Sequence, residues 1–212
     1  MFVKTRMTAN PFTVTPDDTV PDALALMEKH NVRHLPVVDQ GRVVGVLSSR
    51  DIAAAKPSPV TSLSTAEITY LLGKLKIAKV MTRDPVTISP DSLLEEAATA
   101  MRDHKVEILP VVENGELVGV ITESNILDAF IEILGFRDHG TRLTLEATDA
   151  PGVMARLAET TARHGANIQH LVVFRGLERS TVVVGVNSFN TEELRADLEA
   201  AGFVVLAALV NQ

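Results

Sequence analysis

The sequence contains no cysteine, no tryptophan and no excess of basic residues. Without cysteine the chain cannot form disulfides, zinc–thiolate sites or thiol nucleophiles, and this composition fits a reducing compartment. Lys and Arg total 20 against 27 Asp and Glu, so the formal net charge is −7. An acidic chain is a poor nucleic-acid binder because neutralising phosphates supplies most non-specific affinity. Aromatic residues make up 4% of the sequence, which leaves few surfaces on which bases could stack.

Long apolar runs are also missing. None approaches the roughly 18 residues that a membrane-spanning helix needs, and residues 1–10 lack the apolar core of a signal peptide. We therefore expect a cytoplasmic protein that does not associate with membranes. The 212 residues, 46% of them hydrophobic, suffice for one or two domains with packed cores.

The clearest pattern in the chain is an internal repeat. Residues 7–52 align without a gap with residues 81–126, at a constant offset of 74 positions. Both copies contain Leu-Pro-Val-Val, at 35–38 and 109–112, followed by a glycine turn and a second apolar segment. An ungapped match of this length is strong evidence that one structural unit is duplicated.

Each copy predicts the order β-α-β-β-α. A short extended piece, at 12–15 or 86–89, precedes a helix with apolar residues at i, i+3, i+4 and i+7. In copy one Asp18 or Thr19 is the expected helix cap, with Pro21 in the first turn. The pairs at 40–41 and 114–115 (Gln-Gly and Asn-Gly) predict two-residue hairpins.

The rest of the chain divides into a spacer and a different unit. The Pro-containing segment 56–59 should break the first closing helix, and 65–76 reads as a connecting helix. From residue 140 onwards the pattern predicts β-α-β-β-α-β, the split βαβ order, with both helices on one face of a sheet. Asp149 is the expected cap of its first helix, and Asn190 with Glu193 forms a capping-box pattern. The predicted boundaries are 1–56 and 77–137 for the repeats, 57–76 for the linker helix and 140–212 for the last domain.

Ser48 and Asp51 sit where a predicted strand meets a helix. Free N–H groups at a helix start attract anions, so a hydroxyl and a carboxylate there could bind a sugar or a phosphate. The same Ser-x-x-Asp spacing is also a capping box, which needs no ligand. The two interpretations can hold together.

The doubled unit resembles a pair of CBS (cystathionine-β-synthase) domains. The resemblance is carried by Leu-Pro-Val-Val, the glycine turn and the pattern Gly-h-h-Ser/Thr-x-x-Asp, where h is apolar. The last segment resembles an ACT domain in two short motifs, Asp149-x-Pro151-Gly152 and Gly165-Ala166-Asn167-Ile168. The order CBS–CBS–ACT is similar to that of the acetoin-utilisation CBS–ACT proteins. The implied fold class is α+β, with two β-α-β-β-α repeats packed as one disk and a ferredoxin-like βαββαβ domain after them.

This resemblance implies a non-catalytic regulatory protein that binds an adenine nucleotide (AMP, ADP or ATP) and no metal. Asp51 would accept bonds from the ribose, and Ser48 would contact the sugar or phosphate. The nucleotide-binding set implied by the resemblance is Thr13, Val14 and Thr15 around the adenine, Arg33, His34, Ser48, Arg50 and Asp51, and Thr122 and Asn125 in copy two. The resemblance also places Asp149, Gly152 and Asn167 where ACT domains often bind amino acids, commonly across a dimer interface. The alternative is that the apolar strands flanking this site are only dimer edges.

The two copies differ in their polar residues. Arg33, His34, Ser49, Arg50 and Asp51 of copy one correspond to Glu107, Ile108, Glu123, Ser124 and Asn125 of copy two. Copy one is thus basic around a carboxylate, whereas copy two is acidic and lacks it. A phosphate beside Glu107 and Glu123 would be repelled, so we expect one phosphorylated adenosine per chain.

Two other functional classes remain for comparison. The chain could be a structural dimerisation scaffold that binds no nucleotide. An enzyme has little support, since no nucleophile–base pair, P-loop or dinucleotide fingerprint occurs. For the nucleotide-binding regulator and for the scaffold alike we expect a homodimer. For the regulator we also expect a regulated enzyme as partner.

Overall fold

The computed structural model describes residues 1–55, 64, 67, 70 and 72–211. The predicted break at 56–59 and five of the twelve residues of the predicted connecting helix at 65–76 lie outside these residues. The chain forms two compact units, Met1–Ile126 and Leu127–Gln212. The division falls inside a helix, earlier than the predicted boundary at 137–140.

The described helices and strands follow the predicted order. The helices are α1 (Val20–His30), α2 (Ser49–Ala54), α3 (Leu94–His104), α4 (Glu123–Ile133), α5 (Val153–Arg163) and α6 (Glu192–Ala200). The strands are β1 (Thr8–Ala9), β2 (His34–Asp39), β3 (Arg42–Ser48), β4 (Thr82–Arg83), β5 (Ile108–Glu113), β6 (Glu116–Thr122), β7 (Gly140–Thr148), β8 (Ile168–Phe174), β9 (Arg179–Val186) and β10 (Val204–Asn211).

The first unit contains two three-stranded sheets that exchange their short strands. One sheet has the order β2-β3-β4 and the other β1-β6-β5. The strand that precedes copy two therefore completes the sheet of copy one, through the pairs Gly45↔Arg83 and Val46↔Thr82. The strand that precedes copy one completes the sheet of copy two in the same way, with Thr8 opposite Val120.

Two short 3-10 turns extend this exchange. The turn Val3–Thr5 lies against copy two, where the Val3 N–H donates to the carbonyl of Ser92 at 2.9 Å. The turn Ile77–Lys79 lies against copy one, and Ile77 is completely buried in its core beside Leu35 and Leu47. Neither copy completes its sheet and core from its own residues alone.

Local signals in the repeats were predicted well. Thr19 caps α1 and forms a capping box with Asp22. Gln40 and Gly41 both have positive φ, +48° and +80°, as a two-residue hairpin requires, and the twin turn at 114–115 does the same. The predicted extended pieces are shifted: Val14 and Ile88 make only isolated parallel bridges, to Val37 and Val111, and the paired strands lie upstream.

The second unit is a four-stranded antiparallel sheet with the order β10-β7-β9-β8. Its element order is β-α-β-β-α-β, the split βαβ arrangement that the sequence predicts. Helices α5 and α6 contact each other and share one face of the sheet, where Leu157 and Leu198 pack against the buried strand residues Leu143, Leu145 and Val184.

Both predicted caps in this unit are wrong. Gly152, with φ +84°, is the residue before α5 and makes no side-chain cap bond, while Asp149 pairs with Arg175 at 3.2 Å. Helix α6 starts at Glu192 after Thr191, again without a side-chain cap bond. The carbonyl of Asn190 instead accepts a hydrogen bond from the Ser188 hydroxyl at 3.0 Å. A turn at 151–152 separates Asp149 from α5, whereas α6 simply begins one residue later than expected.

We expect Gly45→Ala to destabilise the first unit. A Cβ at this position would lie 2.7 Å from Met81 Sδ and 2.9 Å from the carbonyl oxygen of Thr82, so β4 would have to move. Overpacking of this kind costs about 1–3 kcal/mol. Urea unfolding should show the loss, and Gly73→Ala is the matched control because nothing lies within 4 Å of its Cβ position. Equal stability of the two variants would contradict the tight packing of β4 on β3.

Candidate functional site

The junction of β3 and α2 is closed by Ser48 and Asp51. The Ser48 N–H and hydroxyl both donate to Asp51 Oδ2, at 2.7 and 2.6 Å, and the Asp51 N–H donates to Ser48 Oγ at 3.1 Å. The capping-box interpretation is therefore confirmed. The hydrogen bonds that this carboxylate accepts from described residues are both at Oδ2, so Oδ1 remains available to a ligand.

Copy two forms the same junction with an amide. The Thr122 N–H and hydroxyl donate to Asn125 Oδ1 at 2.9 and 2.8 Å, and the Asn125 N–H donates to Thr122 Oγ1 at 3.4 Å. An amide thus closes this turn as well as a carboxylate does. The negative charge of Asp51 is not needed for the cap, and it can serve another purpose.

A cavity of about 440 Å³ opens beside Ser48 and Asp51. This volume is within the range of small-molecule sites, which runs from about 300 to 1,000 Å³. Four chain segments line the cavity, together with Val46 and Thr82: Arg33–His34, Ser48–Asp51, Asp84–Val86 and His104–Ile108. Both copies therefore contribute to one site.

Five of the predicted residues line this cavity: Arg33, His34, Ser48, Arg50 and Asp51. Residues 13–15 do not. Val14 is 6% exposed and runs beside β2, donating its N–H to the carbonyl of Pro36 and accepting from the N–H of Val38. Thr122 and Asn125 lie at the equivalent turn of copy two.

Sequence reasoning missed Thr82, the 84–86 segment and the 104–108 segment. It assigned each turn the extended piece of its own copy, whereas β4 pairs with β3 and carries residues 84–86 to the Asp51 side. The repeat itself contained one signal, since Gly45 and Gly119 mark where a strand of the other copy passes closely, beside Met81 and Met7.

The three residues predicted in the last domain are not brought together within one chain. Asp149 and Gly152 follow the end of β7, whereas Asn167 precedes β8, at the level where β7 begins. The Asn167 N–H donates to Asn187 Oδ1 at 2.7 Å.

The charges around the cavity are mixed. Glu107 Oε1 accepts a bond from Arg50 Nη2 at 3.1 Å, and its Oε2 lies 3.4 Å from His34 Nε2. The lining contains three permanent cations (Arg33, Arg50 and Lys105) and three carboxylates (Asp51, Asp84 and Glu107). This corrects the expected division into a basic pocket of copy one and an acidic pocket of copy two, because Glu107 faces the cations of copy one.

His34 is the titratable group most affected by this environment. Its side chain is 15% exposed. Burial lowers the pKa of His34 below its ordinary value of 6.5, and the nearby Glu107 carboxylate opposes part of that effect. His34 is therefore neutral at pH 7, and the permanent positive charges of the cavity lining come from Arg33, Arg50 and Lys105.

The described part of the chain contains no group of three or more His, Cys, Asp or Glu placed to hold a metal ion. None of its helices is long and apolar enough to cross a membrane.

Comparison with known proteins identifies the family. The CBS domain family model matches residues 3–58 and 77–132, which is more than half of the chain. The chain belongs to the CBS domain family. A CBS domain-containing protein of Bacillus subtilis, YhcV, is 34% identical over 119 residues, or 56% of this chain and 78% of that protein. Inosine-5′-monophosphate dehydrogenase of Korarchaeum cryptofilum is 33% identical over 66% of this chain, which spans only 26% of that enzyme.

Solved structures resemble the CBS pair. One is AcuB of Vibrio cholerae, whose name assigns it to acetoin utilization. It is 33% identical in sequence, the match covers 65% of this chain and 96% of that chain, and the TM-score is 0.54. Another is CBSX2 from Arabidopsis thaliana, in complex with AMP: 33% identity, 62% and 97% coverage, TM-score 0.53. A third is the CBS pair of MJ0100 with 5′-methylthioadenosine and S-adenosyl-L-methionine: 28% identity, 61% and 99% coverage, TM-score 0.51.

The lowered pKa of His34 has a consequence for stability. Below pH 6.5 the unfolded chain binds a proton at this histidine more readily than the folded chain does, so the unfolding free energy falls as the pH falls. We expect His34→Asn to lose less stability than the wild type between pH 7 and pH 5. Chemical unfolding across this range checks the slope, and measurements at pH 8, where His34 is neutral in both states, serve as the control. Parallel slopes for the two proteins would contradict the assignment.

Proposed function

We propose that this protein is a non-catalytic sensor that binds one adenosine phosphate (AMP, ADP or ATP) in the Asp51 cavity and passes the signal to a regulated enzyme. The observation that carries the proposal is that Asp51 is a carboxylate although its helix cap does not require a charge. Asn125 shows that the cap needs no charge, yet Asp51 presents one in a cavity that also holds Arg33 and Arg50. The similarity to CBSX2, which is named in complex with AMP, supports the choice of ligand.

The proposal gives a role to the lining residues of copy one and to the 84–86 segment. Asp51 Oδ1 accepts hydrogen bonds from the ribose hydroxyls, and Ser48 contacts the sugar. Arg33, His34 and Arg50 face the phosphate, and the backbone of the 84–86 segment takes the place predicted for residues 13–15 beside the adenine. The equivalent turn with Thr122 and Asn125 lacks the carboxylate, so it binds the same ligand less well.

The non-catalytic assignment is supported by how much of each relative the CBS pair accounts for. The AcuB and CBSX2 chains are covered to 96% and 97%, so they contain little besides a CBS pair. The match to the dehydrogenase covers a minor part of that enzyme. The similarity to AcuB supports a link to acetoin or related carbon metabolism.

The second unit is, in this proposal, an ACT domain that dimerises and binds a small molecule such as an amino acid. Its βαββαβ order and its β10-β7-β9-β8 sheet agree with that assignment. Edge strands β8 and β10 contain no Asp, Glu, Lys or Arg, and Leu209 and Phe174 are more than half exposed. Uncharged edge strands are suited to pairing with a second copy.

A structural scaffold that binds no nucleotide is the second candidate. It is favoured by the balanced charge of the cavity and by the fact that Ser48 and Asp51 already satisfy each other. The two candidates differ in whether any adenosine ligand raises the melting temperature.

We expect Asp51→Asn to weaken AMP binding by about tenfold to a hundredfold, because a hydrogen bond to a charged group is worth roughly 1.5–3 kcal/mol. The fold should survive, since Asn125 closes the same cap in copy two. Calorimetry measures the affinity and the stoichiometry, which should be one nucleotide per chain. Asp103→Asn is the control: it removes the same charge from an exposed residue whose ion pair is with its neighbour Arg102.

The scaffold would be favoured if Asp51→Asn left AMP affinity unchanged or if no adenosine ligand bound the wild type. Two equivalent nucleotides per chain would reject the difference between the copies.

We expect the protein to be a dimer in solution and a lysine on the interacting edge strand to dissociate it. Val173→Lys tests β8 and Leu209→Lys tests β10, since a buried charge without a partner opposes pairing. Light scattering coupled to size exclusion gives the molar mass. A wild-type monomer, or a dimer unaffected by either variant, would contradict dimerisation through these edges.

A further inference from the structure

Glu107 is the unexpected charge in the cavity. Arg33 and Glu107 occupy equivalent positions of the two repeats, and both line the same cavity. An anionic ligand there meets a cation from copy one and a carboxylate from copy two. The duplication has thus placed opposite charges at matched positions of one site.

The carboxylate of Glu107 uses both of its oxygens. Oε1 accepts from Arg50 at 3.1 Å, and Oε2 lies 3.4 Å from His34 Nε2. Its side chain is 40% exposed, so it is reached by solvent as well as by these partners. A ligand phosphate that binds Arg50 and His34 therefore competes with the Glu107 carboxylate, which is also negatively charged and already contacts both residues.

We propose that Glu107 is a specificity residue that limits the negative charge of the bound adenosine ligand. This inference rests on the proposed function of the same cavity. Repulsion from one fixed carboxylate grows with each charge that the ligand brings. The site therefore favours a monophosphate over a triphosphate, and it accepts uncharged adenosine derivatives without any penalty from Glu107.

The charge on Glu107 can be removed with little change in shape by Glu107→Gln. We expect the variant to bind AMP about fivefold more tightly, the ratio that one charge pair at 4 Å gives in water, and to gain more for ATP. The affinity for 5′-methylthioadenosine, which has no phosphate, should stay the same. Calorimetry at one low ionic strength measures all three ligands, and melting curves verify that the variant is folded.

A second variant separates this local effect from a change in net charge. Glu116→Gln removes one carboxylate from the exposed start of β6, outside the cavity lining, and should leave all three affinities unchanged. If Glu107→Gln raises the affinity for ATP more than that for AMP, and only this variant does so, the inference stands.

Three results would overturn it. An unchanged ratio of ATP to AMP affinity would show that Glu107 does not read ligand charge, and the proposed function would survive. Weaker binding of all three ligands would make Glu107 a positioning residue for Arg50 instead. If the wild type binds none of the three, the proposed function fails, and this inference fails with it.

Discussion

The exchange of short strands between the two repeats is the constraint on which the first unit depends. β4 completes the sheet of copy one and β1 completes that of copy two, at Gly45 and Gly119. A Cβ at either position would crowd the crossing strand, 2.9 Å from the carbonyl oxygen of Thr82 at Gly45 and 3.0 Å from that of Thr8 at Gly119. The exchange makes the two copies one folding unit, and it also builds a cavity to which both contribute.

The candidate site is built on a structural device that the fold requires anyway. A helix that begins directly after a buried strand leaves N–H groups unpaired, and a capping box satisfies some of them. Ser48 with Asp51 and Thr122 with Asn125 solve this problem in the same way. One cap places an ionised group beside a cavity, and the other cap is neutral. The proposed nucleotide binding rests on this difference between two equivalent turns.

Charge placement gives the cavity its chemical character. Arg33, Arg50 and Lys105 lie among Asp51, Asp84 and Glu107, so the site is polar without being strongly basic. Partial burial keeps His34 neutral at pH 7, which leaves Arg33, Arg50 and Lys105 as the positively charged lining residues. In the proposed function this site discriminates between ligands through individual pairs, such as Arg50 with Glu107, rather than through an overall positive field.

Patterns that act over a few residues were predictable. The Thr19 cap, the hairpin turns at 40–41 and 114–115, and the buried alternation of Leu143, Leu145 and Ala147 all follow from neighbouring residue types. The predicted caps at Asp149 and Asn190 failed because the helices start later than expected: the cap position lies three residues further on for α5 and one residue further on for α6. No local preference decides between the two starts.

The sequence by itself determined the repeat, the element order of both units, the family resemblance and five of the residues around the cavity. It could not determine which copy supplies the remaining wall, because both copies carry nearly the same extended segment and either could pair with either hairpin. Tertiary packing decided this by seating β4 on β3, which brought residues 84–86 and Glu107 to the Asp51 side. The charge of the site is therefore set by contacts between residues distant in the chain, which only the folded structure defines.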